Sequence, residues 1–149
     1  MINVTSDCDP SLISPDLRCI KALVKNIFSK NNVKDAELSY VFCDDTYLFN
    51  LKKKFFKQSH LTDVIAFRLN NYEEPKIEGE IYISLPRAKE NAKIYEEPYG
   101  REVARLIIHG SLHLIGYLDK TRSQKKIMVK HENYFLNKTD WLNLFQNGK

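Results

Sequence analysis

Residues 101–117 read REVARLIIHGSLHLIGY, and the fold turns on this stretch. Arg101 to Ile115 is the most apolar segment of helical length in the chain, and Gly116 follows where a helix can end through a glycine. His109 and His113 stand four residues apart on this helix. Four residues advance a helix by about 6 Å and just over one turn, so both imidazoles share a face. Two such nitrogens can meet one metal ion at about 2.0–2.1 Å. The end of the helix at Gly116 then lets Asp119 return toward the pair, giving His-x3-His-x5-Asp. Three protein ligands leave a position for water or substrate, as a catalytic metal site requires. The plainer alternative is two half-buried histidines on an apolar helix. The glycine and a third ligand type at matching offsets favour the metal. The residue after the first histidine is Gly110, not the glutamate that serves as general base in HExxH peptidases, which disfavours peptide hydrolysis. A base must come from elsewhere, and Asp63 and Glu80 are candidates, with turn-capping or solvent-exposed roles as the simpler reading of each.

Outward from this helix, a strand is expected from Ile2 to Thr5. Ser14-Pro15-Asp16 reads as an N-cap, a proline in the first helical position and an acidic first turn. The helix it opens spaces Leu17, Ile20, Leu23, Val24, Ile27 and Phe28 on one face. Ala36 to Cys43 alternates as a strand with Leu38, Tyr40 and Phe42 on one face, and Asp44 and Asp45 can cap a short helix over Thr46 to Phe56. Thr62–Leu69 and Gly79–Leu85 read as strands joined by a polar loop, with Ile81, Ile83 and Leu85 on one face. Pro86 opens a helix ending near Glu97-Pro98, and Thr121 with Gln124 forms a capping box for a last helix through about Leu136. The sum is an α+β fold: one domain over residues 1–149, with a small mixed sheet of about four strands and about five helices.

Composition agrees. The 149 residues are 43% hydrophobic, with 23 Lys+Arg against 19 Asp+Glu, a formal +4, which is the profile of a soluble globular domain. No apolar run approaches the roughly 20 residues of a membrane helix, and MINVTSDCDP lacks the marks of a secretory signal. Cys8, Cys19 and Cys43 are unpaired by spacing and read as reduced thiols of a cytoplasmic protein. The charge is compatible with a polyanionic partner without requiring one. Lys52, Lys53, Lys54 and Lys57 form one basic group, and Lys125, Lys126 and Lys130 another.

His109-Gly110-Ser111-Leu112-His113-Leu114-Ile115-Gly116-Tyr117 resembles the HGxLHLxGY signature of the YbeY family, single-domain bacterial endoribonucleases of ribosomal RNA maturation and ribosome quality control. Thr62-Asp63-Val64-Ile65-Ala66-Phe67 is similar to the family's TDVLSF block, and Gly79-Glu80-Ile81-Tyr82-Ile83-Ser84 to its GDIxIS block, in the same order. The resemblance implies a single-strand-specific, metal-dependent endoribonuclease acting in 16S rRNA 3′-end maturation. Its ion is a divalent transition metal, Zn²⁺ first with Ni²⁺ or Mn²⁺ as alternatives, held by His109, His113 and Asp119. Asp63 is the candidate for orienting water or a ligand. The implied partners are ribosomal RNA and the small ribosomal subunit, with no membrane and no DNA.

The chain departs from the family pattern twice. Asp119 stands where the family commonly has its third histidine, and a harder oxygen ligand can change metal preference. Upstream of Thr62, where the family has a Tyr-Arg-Gly stretch, this chain reads Phe55-Phe56-Lys57-Gln58-Ser59-His60, without arginine. Lys57 and His60 are the candidates for its substrate-binding role, although Lys and Arg are not equivalent at phosphate. The missing arginine keeps open a non-catalytic RNA-binding ribosome-assembly factor with a structural metal. His131 is expected on the exposed side of the last helix, Met128 and Trp141 in packing, and Cys43 as a small apolar filler.

Overall fold

The computed structural model describes residues 1–57 and 62–145. Four strands, β1 (Ile2–Cys8), β2 (Ala36–Cys43), β3 (Val64–Arg68) and β4 (Ile77–Ser84), form one sheet in the order β1-β2-β4-β3. β1 and β4 run parallel to β2, and β3 closes the edge antiparallel to β4. Five helices accompany them: α1 (Leu17–Lys30), α2 (Asp45–Phe56), α3 (Leu85–Ile94), α4 (Tyr99–Ile115) and α5 (Arg122–Asn137). This is the expected α+β architecture. No helix among the described residues is long and apolar enough to cross a membrane.

The core follows the two periodicities. Ala36, Leu38, Tyr40 and Phe42 of β2 and Ile77, Ile81 and Ile83 of β4 alternate onto the face that meets α1 and α4. α1 contributes Ile20, Leu23, Val24, Ile27 and Phe28. α4 is buried on most of its circumference, packing on α1, α3, α5, β3 and β4. Two glycines set how closely it lies on the sheet: a Cβ on Gly79 would stand 2.6 Å from Leu114 Cδ1, and one on Gly110 would stand 2.9 Å from Ile81 Cγ2. Tyr40, fully buried, donates its hydroxyl hydrogen to Ser111 Oγ at 2.7 Å, because Ser111 already donates to Ile107 O. The burial also pushes the Tyr40 phenol up from its ordinary pKa.

Element ends differ from the sequence expectation where contacts are non-local. β1 runs on to Cys8 because its parallel pairing with β2 continues to Cys8↔Phe42. The N-cap of α1 is Asp16, not Ser14: its carboxylate accepts from the Arg18 and Cys19 amides, while Ser14 Oγ donates to Pro15 O. Leu85 leaves the strand and begins α3, capped by Ser84 Oγ accepting from the Arg87 amide. The Thr121–Gln124 capping box is present in full at the start of α5. Trp141–Asn143 adds a short 3₁₀ turn beyond α5.

Candidate metal centre

Helix α4 carries His109 and His113 one turn apart near its C-terminal end. Gly116, with φ +123°, terminates it; its amide donates to Leu112 O and His113 O, and Tyr117 N donates to Leu112 O at 3.0 Å. That backbone angle is one a side chain disfavours, so glycine is needed here for its conformation. Tyr117 anchors the returning chain by donating its hydroxyl hydrogen to Asn31 Oδ1 at 2.7 Å. The reversal carries Asp119 back over the histidines.

Three atoms then converge. His109 Nε2 and His113 Nε2 lie 3.1 Å apart, and Asp119 Oδ2 lies 3.3 Å from the first and 3.2 Å from the second. Among the described residues this is the one group of three His, Cys, Asp or Glu side chains placed to hold an ion. Bonds of 2.0–2.1 Å in a tetrahedron separate its ligands by about 3.3–3.4 Å, so the triangle fits a compact transition ion. The protonation pattern fits as well. His109 Nδ1 lies 2.6 Å from Glu132 Oε2, and a carboxylate at that distance requires the hydrogen on Nδ1. In the neutral ring Nε2 is then a bare lone pair aimed at His113 and Asp119, a carboxylate–histidine arrangement that orients a metal ligand.

Glu132 is a residue that the sequence reading missed. It comes from α5, is 4% exposed, and stands in the buried stripe Met128, Glu132, Phe135, Leu136. A carboxylate at an apolar-face position of an amphipathic helix was the available signal. It belongs to a wider network. Arg105, one turn before His109, donates Nε and Nη2 to the two oxygens of Glu102 at 2.9 and 2.8 Å, and its Nη1 lies 3.5 Å from Glu132 Oε1. The paired Glu102 carboxylate raises the guanidinium pKa further, so Arg105 is a permanent cation between buried acids. Asn91 of α3 donates to Glu102 Oε2 and to Asp63 Oδ2 at 3.2 and 3.1 Å.

The structure brings together His109, His113 and Asp119, but not every candidate. Asp63 sits at the head of β3, held by Asn91 and 3.9 Å from Arg105 Nη2; it connects to His109 only through Arg105 and Glu132. Glu80 is excluded as a base for this site, because it alternates with Gly79 and Ile81, which face α4, and so points to the opposite side of the sheet, where Tyr82 donates to it at 3.1 Å. Lys57 is exposed and caps α2 just past its C-terminal end in the left-handed conformation, with φ 55°. His60 lies outside the described residues. Arg68, unremarked in the sequence, donates to Leu114 O at 2.9 Å and to Asn71 O, Glu74 O and Lys76 O, tying the β3–β4 loop to the end of α4. His131 is partly buried, its ring 4.8 Å from Tyr117. Met128 and Cys43 are buried as expected, and Trp141 packs against the core.

An α+β domain presenting two histidines and a carboxylate at the end of one buried helix defines a class of small proteins with a helix-borne His-His-carboxylate centre. The model of the endoribonuclease YbeY family matches residues 12–140, and the chain belongs to that family. The chain is 42% identical over 110 residues to the endoribonuclease YbeY of Karelsulcia muelleri, an alignment covering 74% of this chain and 77% of that one. It is 37% identical over 110 residues to the Flavobacterium psychrophilum protein of the same name, with the same coverage. To that of Desulforamulus reducens it is 38% identical over 128 residues, covering 80% and 84%. The solution structure of TM1509 from Thermotoga maritima shares the fold, with a TM-score of 0.60 at 23% identity, over 92% of this chain and 87% of that one.

Proposed function

We propose that this protein is a metal-dependent endoribonuclease that cleaves single-stranded RNA in ribosomal RNA processing, including maturation of the 16S rRNA 3′ end, and in ribosome quality control. Family membership supports the RNA-cleaving activity. The observation that carries the site is the convergence of two imidazole nitrogens and a carboxylate oxygen at 3.1–3.3 Å, backed by a buried carboxylate on the far nitrogen of one ring.

In this reading His109, His113 and Asp119 hold one divalent transition ion, with zinc first and nickel or manganese as alternatives. Such an ion supplies Lewis acidity at a phosphate oxygen and acidifies water. Glu132 keeps the proton on His109 Nδ1 and so fixes which nitrogen faces the centre. Arg105 holds Glu132 and Glu102 against each other's repulsion and fixes the ring's carboxylate from behind. Asp63, which the sequence offered for orienting the attacking oxygen, stands behind Arg105 and Glu132 at the head of β3, and in this reading it positions Arg105 instead. Lys57 is assigned to the phosphate backbone, and His60 to the same role from its place in the sequence. The place of action is the cytoplasm, and the partner is the small ribosomal subunit.

The test is single-turnover cleavage of an unstructured RNA oligonucleotide, together with elemental analysis of protein purified without chelator or metal-affinity resin. One metal per chain and metal-dependent cleavage are expected, both lost in His109→Ala and in Asp119→Ala. Tight RNA binding without cleavage under every metal tried would instead establish an RNA-binding assembly factor. Full cleavage by His109→Ala with no bound metal would overturn the assignment.

A further inference from the structure

The face of the sheet turned away from α4 carries a feature that the metal centre does not use. α2 buries only Leu48. With Cys43 and Ile65, Leu48 makes a small cluster separate from the main core. Phe49 and Leu51 are half-buried, and three more large side chains of α2 are left largely outside: Phe55 is 56% exposed, Phe56 41% and Tyr47 50%. They are not scattered. Phe55 and Phe56 both rest on Phe67 of β3, with ring centroids at 5.5 and 5.6 Å; Phe67 meets Tyr82 of β4 at 5.7 Å, and Tyr82 meets Tyr47 at 6.2 Å. Five rings thus form one continuous, partly solvated surface.

Charged groups border that surface. At the end where Phe55 and Phe56 lie, the chain presents Lys52, Lys53, Lys54 and Lys57, with Lys52 Nζ 4.9 Å from the Phe56 ring centre and Lys54 Nζ 5.3 Å from that of Phe55. Among the described residues none of these four lysines is in an ion pair. Acids border it on both sides: Glu80 stands opposite Phe67 in the strand register and accepts from Tyr82, with Glu78 and Glu37 beyond it on the same face, and Asp45, paired with Arg87, lies at the far end, where α2 starts. Exposed rings interleaved with unpaired cations, bounded by acids, suit a ligand that is both polyanionic and flat-faced.

We propose that the C-terminal end of α2, with Phe67, is a stacking surface for unpaired RNA bases, the adjacent lysines contacting the phosphates. The proposal rests on the endoribonuclease reading and gives it a structural source of single-strand preference, because only unpaired bases offer both faces to an aromatic ring. The position suits it. Ile65 and Phe67 of β3 face α2, whereas Val64 and Ala66 pack into the core beneath α4, and Val64 Cγ2 is among the atoms nearest Gly110. β3 is the edge strand nearest both, so an RNA strand passing over that edge reaches the stacking surface on one side and the α4 side on the other.

The test is fluorescence anisotropy of the full chain, as purified with its metal, using a 2′-O-methyl single-stranded oligonucleotide and an abasic oligomer of equal length and charge. The wild-type protein is expected to prefer the base-bearing strand about 10-fold or more, on the scale of about 1–3 kcal/mol per stacked base. The double variant Phe55→Ala/Phe56→Ala loses that preference while keeping its thermal melt, and Phe55→Tyr/Phe56→Tyr keeps it. Lys53→Gln/Lys54→Gln lowers the salt slope of binding by about 0.7 per lost phosphate contact. If wild type cleaves RNA but the alanine variant still prefers bases over abasic sites, or if duplex binds as well as single strand, the stacking surface is refuted and the nuclease reading stands. If wild type neither cleaves nor binds RNA, both fall together.

Discussion

On the side of β3 that faces α4, polar and charged groups are half-buried or buried and engaged with one another: Arg105, Glu102, Glu132, Asn91 and the two histidines each have named partners, and both glutamates are 4% exposed. On the side that faces α2, apolar rings are left in water beside cations that have no acid to pair with among the described residues. The first arrangement costs desolvation and is retained only where geometry and hydrogen bonds offset it. The second forgoes burial that a folding helix would otherwise gain. Neither is what stability alone would select. The closed side holds a few atoms in fixed positions, and the open side offers area and charge to a ligand of variable sequence.

The difference has measurable consequences. The largest is expected for Arg105→Met, which leaves Glu102 and Glu132 as uncompensated buried charges; urea unfolding should show a loss of about 3–5 kcal/mol. A loss below 1 kcal/mol would mean that these acids are protonated or hydrated. Next comes Glu132→Gln, which removes the carboxylate that holds His109 Nδ1–H. Metal affinity by competition with a chromogenic chelator should fall about 10–100-fold with the fold intact. Gly116→Ala forces a side chain into the φ +123° turn; a stability loss of about 1–3 kcal/mol is expected, with weaker metal binding as Asp119 is displaced. The smallest change belongs to the open side: Phe55→Ser should alter stability by no more than about 1 kcal/mol, the scale of one aromatic pair, and leave metal affinity unchanged. A larger loss there would show the ring to be structural.

Much of the metal-facing side was legible. The i, i+4 histidines, the glycine stop and the returning aspartate depend on helix geometry and one turn, and the structure places all three side chains together. The capping box at Thr121 was read for the same reason. For Glu80 the simpler reading, a residue turned away from the site, is the one that holds, because the alternation that turns Ile81 and Ile83 inward turns Glu80 outward. The α1 cap was misplaced by two residues, since Ser14, Pro15 and Asp16 each fit a helix start and only the backbone decided among them. Glu132, Glu102 and Asn91 were not legible as a network. They come from α5, α4 and α3, and nothing in their spacing announces that they meet.

What the amino-acid sequence determined by itself is everything carried by short-range periodicity: four strands, five helices, one face bearing two imidazoles, and a turn able to return a carboxylate. The tertiary structure alone decided which nitrogen of His109 faces the centre, because that depends on a carboxylate 23 residues away on another helix. It also decided that Phe55 and Phe56 stay at the surface, because α2 lies over an edge of the sheet with too little apolar area beneath it to cover them.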